Sequence, residues 1–345
     1  KEFYEKNGRI SMKLSVVIVA RNEEKNIARC VESILRHTAV VGSVEVLLAD
    51  SASTDRTVEI ASSYPINIIS LKPEWPLSPA AGRFSGVNNV SGEYVLIIDG
   101  DMELLCGWME KALDFLSHNE NCAAVFGRQY NIYLDLEGHF EKPLLTRHLK
   151  CNERIRKTDY ALGSALFRRA DLLQVGNFHP FLRAEEESEV SYLLDKGGFD
   201  IYFLPIDSIY HYCIPRNSFE EAIRRLKTGL YPGLGDMLSA GLQNGYYSLI
   251  WNRFKKYFIS VLIIFFALCG ILFFGINGDW AAFICIMTLI GFGLLVLVFK
   301  KGGLREAGVT IFHVLTIVRS LLPGLFRKVR MRSEYPRDCF RIKHL

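Results

Sequence analysis

Cysteine is sparse and scattered in this chain of 345 residues. Its eight cysteines stand singly, without a Cys-x-x-Cys pair, which argues against a zinc site or a disulfide framework and fits a reducing cytoplasm. No glycine-rich loop follows the first apolar strand, so neither a dinucleotide-binding fold nor a P-loop NTPase is supported. The N-terminus shows no signal peptide, and Met12 is a candidate for the natural start.

Acidic and basic residues occur in both parts of the chain, but in different proportions. Residues 250–345 hold 14 Lys and Arg against four acids, which leaves 27 basic and 33 acidic residues in 1–249. The net charge of +4 therefore combines an acidic body with a basic tail. The body lacks a basic patch with interleaved aromatics, so we predict no nucleic-acid partner. The basic tail favours anionic membrane lipids.

Two runs of 20 residues, 257–276 and 280–299, contain no charged residue. Their length matches the hydrocarbon core of a bilayer at the helical rise per residue. Basic residues flank both outer ends, and the short link between the runs has none. By the positive-inside rule, residues 253–300 are predicted to form a transmembrane hairpin with both ends in the cytoplasm. We therefore expect a multi-pass protein of the cell membrane with a cytoplasmic body.

Residues on either side of the hairpin are amphipathic rather than uniformly apolar. The segment 307–326 contains Arg319, and an arginine at the bilayer centre costs roughly 3 kcal/mol on insertion scales. We predict that this segment lies in the cytoplasmic interface, so that 303–345 form an interfacial helix and a basic tail. Residues 216–252 are predicted to form a juxtamembrane helical linker.

The body, residues 12–215, alternates apolar strands with amphipathic helices through short links. Strands are predicted at Leu14–Ala20, Val44–Ala49, Ile66–Leu71, Tyr94–Ile98, Ala123–Gln129 and Asp200–Pro205. Ser53 or Thr54 is expected to cap the helix that follows the second strand. Such alternation predicts an α/β domain with a mostly parallel sheet.

Two carboxylates follow the strand Tyr94–Ile98 directly, in the turn Asp99-Gly100-Asp101. Open α/β sheets bind ligands at the carboxyl ends of their strands, so both acids are placed for binding. Carboxylate oxygens are hard ligands that suit Mg²⁺ or Mn²⁺ carrying a diphosphate. The alternative is an acidic turn that caps the helix beginning near Gly107.

Five segments, in order, resemble family 2 of the inverting glycosyltransferases, which have the GT-A fold. These are VVIVARNEEKNIARCVESIL, LLADSASTDRT, SPAAGRFSGVNNVSGEYVLIIDGDMEL, LGSALFRRADLLQVGNF and EEESEVSYLLDKGGF. The resemblance covers about residues 13–212. It implies a Rossmann-like GT-A catalytic domain that binds a nucleotide-sugar. The Gln-x-x-Arg-Trp signature of processive polysaccharide synthases is absent.

The resemblance implies a donor site built from the ends of the first, second and fourth strands. Its nucleotide-sugar-binding residues would be Ala20, Arg21, Asn22, Glu23, Asp50, Arg83, Asp99, Gly100 and Asp101. Asp50 would contact the base, with helix capping as its alternative role. Arg83 would contact the diphosphate, and its alternative is an arginine on a helix surface. Gly163 and Ser164 would lie in the loop near the donor sugar and acceptor.

The resemblance also implies a divalent cation and one general base. Asp101 would bind the metal directly, Asp99 would support it, and His211 is a candidate third ligand. Inversion by a single displacement needs a base on the acceptor hydroxyl and no enzyme nucleophile. Glu187 matches the position of that base, with Glu186 as its rival. The alternative for these acids is a solvated helix start favoured by the helix dipole.

Taken together, these features predict a membrane-anchored inverting glycosyltransferase. It would move a sugar from a UDP- or GDP-linked donor to a lipid-linked acceptor at the cytoplasmic membrane face. A polyprenyl-phosphate or a lipid-linked saccharide is the expected acceptor. Two alternatives stay open: a transferase of polysaccharide or cell-surface glycan, and a non-catalytic membrane scaffold with the same fold.

Overall fold

The computed structural model describes residues 13–42, 44–133, 139–146, 153–213 and 218–344. The chain divides into two compact units. One, here called the α/β unit, comprises residues 1–215 together with 330–345. The other, the helical unit, comprises residues 216–329.

The α/β unit contains one large sheet flanked by helices. Its strands are β1 Leu14–Ala20, β2 Val44–Asp50, β3 Asn67–Ser70, β4 Tyr94–Asp99, β5 Met102–Leu104, β6 Cys122–Tyr133, β7 Leu144–Leu145, β8 Arg156–Thr158, β9 Leu166–Arg168, β10 Asp200–Cys213 and β11 Phe340–Lys343. Its helices are α1 Ile27–Thr38, α2 Thr57–Ala61, α3 Pro79–Asn88, α4 Trp108–His118, α5 Arg169–Gln174 and α6 Glu186–Lys196.

The sheet is mixed, with the order β11-β3-β2-β1-β4-β9-β6-β10-β5, and β7 and β8 pair with β6 and β10. Strands β3, β2, β1 and β4 are parallel, and so is the pair β6–β10. Strands β5, β7, β8, β9 and β11 pair antiparallel, so the predicted mostly parallel sheet describes only the first half. Ala20 pairs with Asp50 and Val19 with Asp99, which aligns the carboxyl ends of three strands.

The core lies on both faces of the sheet because alternate side chains of a strand point to opposite faces. In β1, Val16 and Ile18 join the cluster that α1 and α4 cover. Val17 and Val19 join the cluster that α3 and α6 cover. A parallel strand buried on both faces reads as a continuous apolar run, which is why LSVVIVA and YVLIID were recognisable in the sequence.

Two local predictions need correction. The helix after β2 begins at Thr57 without a side-chain cap, so neither Ser53 nor Thr54 caps it. The last predicted strand, Asp200–Pro205, continues as β10 to Cys213. Register shifts at Phe203–Asp207 and Asp207–Ile209 interrupt its pairing with β6, which explains why the apolar pattern fades there.

The predicted interfacial helix and basic tail, 303–345, are divided between the two units. Leu304–Gly324 is helical, whereas residues 330–345 belong to the α/β unit and contain β11 on the edge of the sheet. Tyr335, 3% exposed, anchors this segment among Trp75, Phe84 and Phe181. The sequence did not predict β11, because the residues around it are basic and its partner, β3, lies far away in the chain.

The helical unit contains α7 Ser218–Lys227, α8 Leu230–Gln243, α9 Tyr247–Ile276, α10 Trp280–Lys301 and α11 Leu304–Gly324. By length and composition, α9, α10 and α11 are each able to cross a membrane. The apolar stretches of α9 and α10 are not buried within the protein, whereas part of α11 is. Gly235 of α8 and Gly324 of α11 meet at their backbones, so no larger residue fits there.

Candidate active site

Side chains from the loop after β2 fix the loop after β1. Asn22 has a left-handed backbone, with φ of 58°, and its Oδ1 accepts a hydrogen bond from the Thr54 amide at 2.8 Å. The Asn22 amide donates to Ser53 Oγ at 2.9 Å, and the Glu23 amide donates to Thr57 Oγ1 at 2.7 Å. These bonds hold an unfavourable backbone conformation in place, as is common where a loop binds a ligand.

Asp50 is buried at the end of β2, with 1% of its surface exposed. Its carboxylate accepts hydrogen bonds from the Ser53 amide at 3.0 Å, from the Ser53 hydroxyl and from Ser70 Oγ at 3.1 Å. The loop leaves this anchor through Ala52, whose φ is 54°. Asp50 therefore orders its own loop and does not cap α2, which removes the alternative role considered above.

The turn 99–101 presses against the loop after β1. A Cβ on Gly100 would lie 2.8 Å from the Ala20 Cβ and 3.2 Å from Glu23 Cγ, so only glycine fits this contact. Burial and the two aspartates of the turn raise the pKa of Glu23 to about 7, against the effect of a hydrogen bond from Asn26. The predicted donor residues on β1 and β4 are thus in direct contact.

Asp101, in the turn before β5, forms a pair with His211 on β10. His211 Nε2 lies 3.2 Å from Asp101 Oδ2, and its Nδ1 lies 3.2 Å from Asn131 Oδ1. Burial opposes a charge on His211, but hydrogen bonds with Asp101 and Cys213 raise its pKa to about 10. The second carboxylate oxygen of Asp101, Oδ1, is buried without a hydrogen-bond partner among the described residues.

The three predicted metal ligands are not assembled as one cluster. Among the residues that the structure describes, no group of three or more His, Cys, Asp or Glu side chains is arranged to hold a metal ion. Asp99 faces Arg83 instead, with both of its oxygens 3.1–3.2 Å from Arg83 Nη2. The unpartnered oxygen of Asp101 beside His211 nevertheless fits a cation that takes its remaining ligands from a bound substrate.

Arg83 joins the turn after β4 to the start of α6. Arg83 is 2% exposed, and its guanidinium lies 2.9 Å from Glu186 Oε1 and 3.5 Å from Glu187 Oε1, in addition to its contact with Asp99. The alternative of an arginine on a helix surface is therefore wrong. The buried guanidinium of Arg83 thus contacts three carboxyl groups, one at the end of β4 and two at the start of α6.

Glu186 and Glu187 differ in their surroundings although they are neighbours. The Glu186 side chain is 7% exposed, and burial and the charge of Glu187 raise its pKa despite the attraction of Arg83. The Glu187 side chain is 22% exposed. Glu185, in a left-handed conformation with φ of 68°, precedes the first residue of the helix. Glu187 is the more accessible carboxylate.

The loop at Gly163 lies against the Arg83–Glu187 pair. A Cβ on Gly163 would lie 2.7 Å from Arg83 Nη2 and 2.7 Å from Glu187 Oε1. The neighbouring Ser164 is buried, and its hydroxyl donates to Gln129 Oε1 at 3.4 Å. The predicted loop residues therefore lie beside the acids, and the backbone of Gly163 approaches them closely.

Sequence reasoning missed several residues that shape this site. Ser53 and Thr57 fix the loop after β1, and Asn131 lies against His211. The cluster of Ser and Thr after Asp50 is a signal for loop hydrogen bonds. No signal in the sequence pointed to Asn131, because its position follows only from the pairing of β6 with β10.

Comparison with known proteins shows which proteins the α/β unit is similar to. Residues 15–176 match the family described as Glycosyl transferase family 2. Glycosyltransferase AglE of Haloferax volcanii is 26% identical over 216 residues, which cover 61% of this chain and 70% of that protein. The GalNAc(5)-diNAcBac-PP-undecaprenol beta-1,3-glucosyltransferase of Campylobacter jejuni is 25% identical over 155 residues, covering 44% of this chain and 48% of that protein.

Solved structures support the fold. The S. aureus TarS 1-349 structure superimposes with a TM-score of 0.51 at 16% identity, over 91% of this chain and 92% of that one. The chain spans less than half the length of the Campylobacter relative. The α/β unit has the GT-A fold, and the three apolar helices fit a membrane anchor. Residues 15–176 thus resemble glycosyl transferase family 2, and this match together with the similarity to AglE supports a nucleotide-sugar-dependent glycosyltransferase.

Proposed function

We propose that this protein is an inverting glycosyltransferase that moves a sugar from a UDP- or GDP-linked donor to a lipid-linked acceptor at the cytoplasmic face of the cell membrane. One observation carries the proposal: Arg83 holds Asp99 of the donor side and Glu187 of α6 in a single cluster. Donor-binding acids and a candidate base therefore meet where one displacement would take place.

The donor would lie along the carboxyl ends of β1, β2 and β4. Asp50 accepts its hydrogen bonds from Ser53, in its own loop, and from Ser70 at the end of β3. A carboxylate has about four lone-pair sites, so Asp50 keeps the capacity to accept a bond from a base N–H. The loop of Arg21, Asn22 and Glu23, which the loop after β2 fixes, would border the ribose.

A divalent cation, Mg²⁺ or Mn²⁺, would be held by Asp101 and His211, with Asp99 supporting the site. The unpartnered Oδ1 of Asp101 is the observation that fits this assignment. The cation would offset the negative charge that develops on the leaving diphosphate. Arg83, buried and cationic, adds positive charge behind Asp99 and helps to keep that acid ionised.

Glu187 would act as the general base. The acceptor oxygen would form a bond to the anomeric carbon, the bond from that carbon to the diphosphate would break, and the hydroxyl proton would pass to Glu187. Glu187 is exposed enough to reach an acceptor, whereas Glu186 is buried and faces Arg83. Glu186 would serve to hold Arg83 in position.

Two observations support a lipid-linked acceptor. The chain carries three helices that are long and apolar enough to cross a membrane. The Campylobacter relative is named for an undecaprenol-linked acceptor. A membrane-anchored active site meets such an acceptor at the bilayer surface. A transferase of cell-surface glycan is the second candidate, since the poly(ribitol-phosphate) beta-glucosyltransferase of Bacillus spizizenii is 30% identical over 94 residues.

The pairing of β11 with β3 supports a two-span anchor. Residues 330–345 belong to the same folded unit as residues 1–215, so the chain leaves and re-enters on the same side of the membrane. We therefore infer that an even number of crossings lies between residues 216 and 329. Of the three candidate helices among the described residues, at least one would then not cross. The partly buried α11 is the least apolar, which favours α9 and α10 as the crossing pair.

Cysteine labelling from the two sides of the membrane tests this topology. With α9 and α10 crossing, Asn277→Cys should react from outside and Lys301→Cys only from the cytoplasm. Reaction of Lys301→Cys from outside would mean that α10 and α11 cross instead. Tags at the two ends of the chain should share one side in either case.

Nucleotide release tests the activity. The purified full chain, reconstituted in lipid, should release UDP or GDP from one nucleotide-sugar in the presence of Mn²⁺ and a polyprenyl-phosphate or lipid-linked saccharide. Chelation should stop the release. Activity that survives complete chelation would remove the cation from the proposal, and product with retained anomeric configuration would remove the single displacement.

A further inference from the structure

The chain returns to the α/β unit after α11, in the segment 330–344, here called the return segment. It pairs β11 with β3, and Lys343 Nζ donates to the carbonyls of Ser62 and Tyr64 at 2.9 and 2.6 Å. These contacts lie at the outer edge of the sheet and fix the last residues of the return segment. Its first half makes different contacts, which lie close to the candidate base.

Arg332 inserts beneath the start of α6. It forms an ion pair of 2.7 Å with Glu189, whose side chain is 0% exposed. Glu189 lies two residues after Glu187, on the same first turns of the helix. An acid so completely buried needs a neighbouring positive charge to stay ionised, and Arg332 is the ion-pair partner that the described residues provide.

The backbone leaves space for this arginine. Gly176 has φ of 98°, a conformation that side chains rarely adopt, and a Cβ there would lie 3.2 Å from Arg332 Nη1. Nearby His179 is 4% exposed, and burial together with the charge of Arg332 lowers its pKa to about 3. His179 is therefore neutral and adds no second positive charge beside Arg332.

Tyr335, in the same segment, contacts α3, the helix that carries Arg83. Its ring packs edge-on against Phe84, with centroids 5.8 Å apart, and its hydroxyl donates to the Pro76 carbonyl at 2.9 Å. Phe84 follows Arg83 directly on α3. The return segment thus touches α3 next to Arg83 and α6 next to Glu187, the two elements that the Arg83 cluster joins.

We propose that the return segment positions the catalytic base: Arg332 fixes α6 through Glu189, and Tyr335 fixes α3 through Phe84. This inference rests on the proposed role of Glu187. Arg332 touches neither donor nor acceptor in this proposal, so it is a positioning residue. Activity would then depend on the part of the chain that follows the membrane helices.

The test compares four variants of the full chain in lipid. Arg332→Met leaves Glu189 buried without its partner, and Glu189→Gln leaves Arg332 without one. The double variant Arg332→Met/Glu189→Met removes both charges and keeps apolar volume. Arg341→Met, on the exposed face of β11, removes a charge from the same segment and serves as the control.

Turnover is expressed per nucleotide-binding site, so that unfolded protein does not count. We expect Arg332→Met to lower kcat about tenfold or more while the nucleotide Kd stays near wild type, because small misplacements of a catalytic group are costly. The double variant should recover most of the loss, and Arg341→Met should equal wild type. Equal losses of nucleotide binding and turnover, or a double variant no better than Arg332→Met, would overturn the positioning role.

Hydrogen exchange separates this inference from the proposed function. Arg332→Met should speed amide exchange in α6 but leave α1 unchanged, whether or not a sugar acceptor has been found. Unchanged exchange in α6 would refute the inference even if wild type transfers sugar. A wild-type chain that releases no nucleotide from any nucleotide-sugar would refute the proposed function, while the exchange result would still decide the role of Arg332.

Discussion

The two halves of the candidate site are built in different ways. In the donor half, at the ends of β1, β2 and β4, the loops after β1 and β2 hold each other through Asp50 with Ser53 and Asn22 with Thr54, at most 32 residues apart, and the long-range contact is that of Asp101 with His211. The base half depends on contacts between distant residues, such as Arg83 with Glu186, 103 residues apart. We therefore expect substitutions in the base half to impair turnover more than donor binding.

Glu187→Gln should give the largest effect and separate the two halves most clearly. The amide keeps the shape of the side chain but cannot accept a proton. A general base contributes roughly 10²–10⁴-fold, so transfer to a hydroxyl acceptor should fall about a hundredfold or more. Donor binding, measured as the nucleotide Kd, should be unchanged.

The acceptor and the neighbouring acid provide the controls for Glu187. A phosphate monoester is already ionised near neutral pH, so the loss should be small if the acceptor is a polyprenyl-phosphate. Glu186→Gln disturbs the Arg83 contact and should lower activity less than Glu187→Gln does. If Glu186→Gln is inactive while Glu187→Gln transfers normally to a hydroxyl, the base is Glu186.

Asp101→Asn should impair the donor half instead. Loss of the negative charge weakens a cation bound there, and since even the loss of a residue that only supports a metal ligand costs about 10–100-fold in metal affinity, the loss of a direct ligand should cost at least as much. Mn²⁺-dependent nucleotide binding, followed by calorimetry, should weaken by a similar factor. His211→Ala should lose less, since water can replace a neutral ligand.

Asp114→Asn, on the exposed surface of α4, is the matched control for Asp101. It removes the same charge at a distance from the site and should bind nucleotide and Mn²⁺ as wild type does. Metal-independent activity of Asp101→Asn at the wild-type level would remove Asp101 from the metal site. Such a result would also remove the expected difference between substitutions in the donor half and in the base half.

The positions of the acids in the donor half could be predicted from the sequence, whereas the contacts of the base half could not, for a physical reason. Buried parallel strands give continuous apolar runs, and their last residues fall at one edge of the sheet, so Asp50 and Asp99 could be placed from local pattern. Glu187 came only from the family resemblance, because an acidic helix start has an ordinary explanation.

The remaining features of the base half depend on the three-dimensional fold. Arg83 looked like a surface arginine or a diphosphate ligand, since the sequence does not show that β4 and α6 bring three acids to it. The return segment looked like a basic tail because Arg332 and Tyr335 find their partners more than a hundred residues away. Such contacts leave no periodic signal in a single sequence.

Gly163→Ala should cause a moderate loss confined to the base half. The added Cβ would lie 2.7 Å from both Arg83 Nη2 and Glu187 Oε1, so one of these groups must move. We expect kcat to fall about tenfold, because misplacement of a base by a fraction of an ångström is costly, with donor KM nearly unchanged.

Gly308→Ala is the control for the glycine substitution, since a Cβ at that position meets nothing within 4 Å. It should match wild type in both parameters. A Gly163→Ala variant with raised donor KM and normal kcat would place this loop in the donor half and move the division between the halves.

His179→Gln should have the smallest effect, on stability rather than turnover, and it tests the region where Arg332 meets α6. The pKa of His179 is lowered from its ordinary value of 6.5 to about 3 by burial and by Arg332. Below pH 6.5 the unfolded chain therefore binds a proton that the folded chain does not, so stability falls as the pH drops from 6.5 towards 3. The loss from this group should be about 1–2 kcal/mol between pH 6.5 and 5.

In His179→Gln that part of the pH dependence should vanish, as judged from unfolding followed by tryptophan fluorescence. His118→Gln, an exposed histidine on α4, should keep the wild-type slope. An unchanged slope in His179→Gln would mean that His179 is protonated in the folded protein, and Arg332 would then share its buried region with a second cation.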